Sequence, residues 1–224
     1  MSNCFLYAFC NHKDCDKDFC LRKYKLEYLY DNALVSEAQR KHIKLRIDED
    51  GTDYNEFMQL AEIEKNIENF VQEGQNLYIH STICGCGKSS WALRMIEAYF
   101  NKIWPKTDLI CRALFINVPR FLVALKDNIS NPSEYIAHIK DNIANADLVV
   151  WDDIAAKVGS EFELNHLLSL IDLRIANGKA NIYTSNLDKD AIYNALGERI
   201  ASRICNMSHE IELHGSDKRF LRVN

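Results

Sequence analysis

The stretch NLYIHSTICGCGKSSWALRMIEAYF, residues 76–100, constrains the fold more than any other part of the chain. A strand-like run, NLYIHS, enters a short glycine-containing loop, and Ala92, Leu93, Met95, Ile96 and Tyr99 then recur at helical spacing. A strand, such a loop and a helix in succession form a phosphate-holding unit. Gly85 and Gly87 let the backbone curl so that successive amides, those of Cys86 and Ser90 among them, face an anion. Lys88 supplies a cation and Ser89 a hydroxyl for Mg²⁺. The positive end of the following helix favours the same anion. Thr82 stands where the usual pattern has its first glycine, a position that shapes the turn rather than touching the terminal phosphates. The plainer reading is a strand-to-helix turn that happens to contain GKS.

The rhythm set by this unit repeats. RALFINV, ADLVVWDDI, ANIYTSN and HEIELHG read as further strands, and residues 119–129, 162–177 and 188–205 as helices between them. ADLVVWDDI is almost continuously apolar, as strands covered on both faces are. The expectation is an α/β fold: a five-stranded parallel sheet flanked by helices, with ligands at the carboxyl ends of the strands. Before residue 76 the rhythm is absent. LRKYKLEYLYDNALVSEAQRKHIKLRI is charged and helix-prone, Gly51 interrupts it, and the apolar spacing from Phe57 to Phe70 predicts one helix over 54–72. The chain therefore divides into a Cys-rich segment over 1–50, a connecting helix within 51–75, and a nucleotide-binding core over 76–224.

Composition excludes some classes. With 47% apolar and 26% charged residues among 224, the chain can bury one α/β core and a small appendage. No stretch nears the roughly 20 apolar residues that a membrane helix needs, and MSNCFLYAFCNHKDC lacks a secretion signal, so no membrane partner and a cytoplasmic place are expected. A net charge of −5 gives no overall field for duplex DNA.

A nucleotide loop requires a carboxylate on a neighbouring strand for the metal and a base for the attacking water. Asp152 and Asp153, at the end of LVVWDD, meet these needs in that order; capping of a following helix is the alternative. Thr184, Ser185 and Asn186 end the fourth strand where a polar group can reach a γ-phosphate or water, or simply turn the chain. Arg199 and Arg203 share a helical face, either solvated or aimed at a neighbouring subunit's nucleotide. Cys84 and Cys86 flank Gly85, either as a redox-sensitive pair or as tolerated small side chains. Cys4, Cys10, Cys15 and Cys20 line up on neither a helix nor a strand. A loop wrapped on zinc accommodates them, with an iron–sulfur cluster or free thiols as alternatives and His12 as a substitute ligand.

Taken in order, GCGKS, FINVPRFLVALK, VVWDDI, TSN and GERIASRI resemble the AAA+ ATPases that load replicative helicases, the DnaC and DnaI type, with the IstB transposition ATPases as close relatives. The resemblance spans about residues 76–222 and is most specific in WDDI, TSN and GERIASR. It implies an AAA+ core with Lys88 and Ser89 as nucleotide and Mg²⁺ residues, Asp152 and Asp153 as the Walker B pair, Asn186 as sensor 1, Arg203 as arginine finger and Arg199 as its helper. It further implies ATP hydrolysis with Mg²⁺, self-association through the ATP site, and binding of single-stranded DNA and a DnaB-type ring helicase. The N-terminal cysteines would then belong to a helicase-binding segment, as zinc-containing domains do in DnaI-type loaders. Residues 187–224 are too few for a full helical lid, which with the short N-terminal segment points towards a phage-borne form. A transposase-regulating ATPase and a helicase-capturing inhibitor with negligible turnover are the alternatives.

Overall fold

The computed structural model describes residue 6 and residues 19–41, 45–48, 50–156 and 160–218. Helices α1 (Leu21–Asn32), α2 (Glu37–Lys41), α3 (Tyr54–Lys65) and α4 (Ile67–Gln72) lead into β1 (Asn76–His80) and α5 (Lys88–Ile103). Then come β2 (Ala113–Asn117), α6 (Val118–Asp127), α7 (Glu134–Asn142), β3 (Leu148–Asp152), α8 (Glu161–Ala176) and β4 (Ala180–Ser185). The short helices α9 (Lys189–Leu196) and α10 (Glu198–Cys205) precede β5 (His209–Glu212). The sheet runs β2-β3-β4-β1-β5, and every pairing is parallel.

Alternation along the strands divides the core into two layers. Leu77, Ile79, Phe115, Val150 and Ile182 face the cluster that also holds Leu26, Leu29, Leu60, Phe70 and Ile96, from α1 and α3–α5. Tyr78, Ile116, Trp151 and Tyr183 face the other, with Phe121, Ile139, Ile171, Ile192 and Ile204 from α6–α10. Buried on both faces, β1–β4 are the near-continuous apolar runs that the sequence displays. The N-terminal segment shares this core: Leu26, Leu29, Tyr30, Ala33 and Val35 pack with the sheet. Beyond α1 the chain lies along edge strand β2, where Phe115 N–H donates to Ala33 O at 2.8 Å.

Three helical expectations change. The stretch from Leu21 is broken after Asn32, where the chain turns to cover β2. The expected helix over 54–72 breaks at Asn66, whose side chain reaches back to Glu62 at 2.6 Å; the new direction turns Ile67, Phe70 and Val71 into the core. Gly197, at φ 78°, splits residues 188–205 into α9 and α10. Helix α7 was not anticipated; its two core residues, Ile136 and Ile139, are too few for a clear periodic signal. Beyond Asn186, α9 and α10 fold back into the core. No described helix is long and apolar enough to cross a membrane.

Candidate nucleotide-binding site

Strand β1 ends at His80, and the loop that follows is closed by Ser81, whose hydroxyl accepts from Ile83 N–H at 3.0 Å. Gly85 at φ 78° and Gly87 at φ 117° take the conformations that only glycine adopts freely. Thr82 is exposed and is not among the residues with positive φ, so a side chain is accommodated at that position. Trp91 N–H makes the first intrahelical bond of α5, to Gly87 O at 2.9 Å. The amides of Lys88, Ser89 and Ser90 thus lie at an open helix end. No acidic side chain sits in that turn, whereas α8 closes its own N-terminus with Ser160, Glu163 and Lys126. The loop itself holds Lys88: its buried ammonium donates to Ile83 O at 3.0 Å and Ser81 O at 3.4 Å, with Cys86 Sγ 3.6 Å away.

The carboxyl ends of the neighbouring strands complete the site. A cavity of about 260 Å³ is lined by Cys84, Gly85, Gly87, Lys88, Ser89, Ser90, Asp153 and Asn186. Asp152 lies behind it, buried, accepting from Thr184 Oγ1 at 2.8 Å and, at 3.5 Å, facing Asn117 Nδ2. Asp153 turns forward from the strand end with φ 55°. Burial, and secondarily the charge of Asp152, push its carboxyl above the usual carboxylate range, while Lys88 partly opposes them. The cavity can hold a phosphate chain: open amides and an ammonium at one wall, a hydroxyl beside them, and carboxylates opposite. Those groups also suit Mg²⁺, with Ser89 and Asp152 as its oxygen donors.

Most of the residues expected from the sequence converge here. Gly85, Gly87, Lys88, Ser89, Ser90, Asp153 and Asn186 line the cavity; Cys86 and Asp152 support it from behind. Arg199 and Arg203 do not line it. Arg203 instead pairs with Asp172 of α8 at 2.8 Å, both half-exposed. Cys84 contributes to the wall, and its exposed loop position was the available signal. Thr184 bonds to both Asp152 and Asp153, a role that the sequence did not distinguish from those of Ser185 and Asn186. Of the proposed zinc ligands, Cys4, Cys10 and Cys15, like His12, lie outside the described residues. Cys20 is a free, partly exposed thiol directly before α1. No metal-ligating cluster occurs among the described residues.

The DnaC helicase loader superposes on this fold with a TM-score of 0.63 at 17% identity, over 80% of this chain and 99% of that one. The chain shares its fold with that loader. DnaI matches at a TM-score of 0.54 and 23% identity, covering 66% of this chain and 81% of its own. The replication initiator DnaA bound to AMPPCP and single-stranded DNA matches at 0.57 and 16%, covering 85% of this chain but 50% of DnaA. No protein-family model matches the sequence, and no curated protein matches it. The shared fold thus persists at identities where sequence comparison finds nothing.

Proposed function

We propose that this chain is an ATP-dependent helicase loader of DNA replication. The carrying observation is the cavity that joins Lys88, Ser89, Asp153 and Asn186 on a fold shared with the solved chain of a helicase loader over 99% of that chain. In this reading the amides of residues 85–90 and the Lys88 ammonium hold the β- and γ-phosphates, and the Ser89 hydroxyl and Asp152 hold Mg²⁺. The metal ion, when bound, neutralises charge that develops on the phosphates. Asp153 takes a proton from the attacking water as its oxygen bonds to the γ-phosphorus. ADP departs as the bridging P–O bond breaks, and Asn186 orients the water. Arg203, released from Asp172, reaches the nucleotide of an adjoining copy, with Arg199 beside it. ATP then stabilises assembly with the DnaB-type ring helicase on single-stranded DNA, and hydrolysis releases the loader. Cys4, Cys10, Cys15 and Cys20 are proposed as zinc ligands on their number and spacing alone; metal analysis of the full chain tests this.

The test is capture of a purified bacterial ring helicase by the full chain, with and without ATP, beside Lys88→Ala. ATP-dependent capture that Lys88→Ala abolishes supports the loader. Capture without turnover, even with single-stranded DNA present, points to an inhibitor. ATP binding without helicase capture, but with capture of a transposase, points to the IstB-like reading and refutes the loader.

A further inference from the structure

We propose that Thr184 is a positioning residue for hydrolysis, its single hydroxyl fixing both members of the Asp152–Asp153 pair. The inference rests on the ATPase reading above. Thr184 is fully buried at the end of β4. Its Oγ1 donates to Asp152 Oδ1 at 2.8 Å and accepts from Asp153 N–H at 2.9 Å. A hydroxyl has one proton to give, and here the carboxylate receives it. Thr184 therefore has none left for a phosphate; it acts through the two aspartates.

The consequence for Asp152 is orientation. One oxygen is tied to β4, and the other faces Asn117 of β2, so neighbouring strands on both sides set the plane of the carboxylate. The consequence for Asp153 concerns its backbone. A non-glycine residue at φ 55° is uncommon, and it persists only where its surroundings impose it. Thr184 imposes it from two sides: its hydroxyl accepts from Asp153 N–H, and its carbonyl accepts from Ile154 N–H at 2.8 Å. Ser185 closes the turn by donating to Ile154 O at 2.9 Å. This turn carries Asp153 out of the sheet line and into the lining of the cavity that also holds Lys88. An ångström of error in a base costs a hydrolase far more than it costs substrate binding, because only the transition state demands the alignment.

Thr184→Val keeps the shape and removes both bonds; Thr184→Ser keeps both bonds and removes a methyl. Each full-length variant is compared with wild type and Lys88→Ala by binding of a fluorescent ATP analogue, first without metal and then across a Mg²⁺ titration. Steady-state hydrolysis with single-stranded DNA and helicase follows. Thr184→Val should bind metal-free nucleotide within about twofold of wild type, need several-fold more Mg²⁺ for half-saturation, and lose about tenfold or more in kcat with KM little changed. Thr184→Ser should recover most of both. If Thr184→Val does not fold, Thr184→Ala, which lacks the hydroxyl and leaves its space open, is read against the same values. Wild-type Mg²⁺ dependence and kcat in a folded Val or Ala variant, beside a defective Lys88→Ala, overturn the inference alone. So does a Ser variant as impaired as Val. Equal nucleotide affinity in wild type and Lys88→Ala refutes the ATPase reading and the inference together.

Discussion

Arg174 offers the sharpest test of how this fold is held. The guanidinium is wholly buried beneath β3 and β4, yet no carboxylate among the described residues pairs with it. It donates instead to Ile143 O at 2.6 Å, Ala146 O at 2.8 Å, Ala180 O at 2.6 Å and Asn181 Oδ1 at 2.7 Å. Asn181 Oδ1 also accepts from Trp151 Nε1 at 3.1 Å, so the cage reaches the strand that carries Asp152. Four hydrogen bonds from a charged donor are worth roughly 6–12 kcal/mol in all. Burial opposes them, pushing the guanidinium down to about 10. Relative to its ordinary value this is a cost of roughly 3 kcal/mol. Arg174→Met fills most of the volume but leaves three buried carbonyls without their donor. The balance predicts a loss of at least about 3 kcal/mol, in line with one-sided removal from buried charged networks. At this chain length that is a fall in Tm of roughly 6–12 °C. Urea unfolding at constant m-value reads the change directly. A loss below about 1 kcal/mol would refute the reasoning, since the carbonyls would then have found other donors at almost no cost.

Four further variants have expected outcomes. Asp153 has its carboxyl raised in the folded chain, so the folded state binds that proton more tightly than the unfolded one, and the ionised carboxylate costs stability as pH rises through the raised value. Asp153→Asn should therefore unfold at higher temperature than wild type at neutral pH, with the gain fading at low pH, and should bind ATP without hydrolysing it; a variant less stable at neutral pH contradicts this. Gly74 sits at φ +63° after α4, and a Cβ there would lie 2.3 Å from the Gly178 carbonyl oxygen, so Gly74→Ala should cost about 2–4 kcal/mol by thermal or chemical unfolding. Gly197→Ala, at φ 78° and ψ 162°, a region almost confined to glycine, should cost about 1–3 kcal/mol even with open space around it. The Arg203–Asp172 pair is half-exposed and worth about 0–1 kcal/mol, so Arg203→Ala should stay folded. Mixing it with Asp153→Asn should then restore part of the hydrolysis that neither variant has alone; no recovery with assembly intact would assign Arg203 a structural role.

The parts legible in the sequence are those whose signal is local. GCGKSS declares itself because glycine is needed where φ reaches 78° and 117°, and because a lysine and a serine follow at fixed distance from the turn. The strands were legible because a strand covered on both faces must be apolar at successive positions, as LVVW is. Helix breaks were harder to see. Asn66 ends α3 through a hydrogen bond to Glu62, and a polar residue on an otherwise regular apolar period does not announce that choice. The edge contact of Ala33 with Phe115 joins residues 82 positions apart, and no spacing rule within either segment encodes it.

The same contrast explains the site. Lys88 and Asp153 could be read from their own neighbours, since Lys88 opens the helix after a glycine loop and Asp153 follows a readable strand. Thr184 could not, because its role depends on register: β3 and β4 pair Trp151 with Tyr183, which brings the next residues, Asp152 and Thr184, side by side. A one-residue slip would send the Thr184 hydroxyl to the opposite face and leave Asp153 N–H without its acceptor. Asn181 lies on the same strand as Thr184, and Arg174, buried beneath the sheet, holds it at 2.7 Å. Asn181 in turn accepts from Trp151, the residue before Asp152. The buried arginine and the buried threonine thus act on one register from opposite ends of β4: Arg174 fixes where β3 and β4 meet, and Thr184 uses that alignment to hold the carboxylates. A register error would have to break both sets of buried hydrogen bonds at once, which makes the Asp152–Asp153 geometry as resistant to slippage as the core itself.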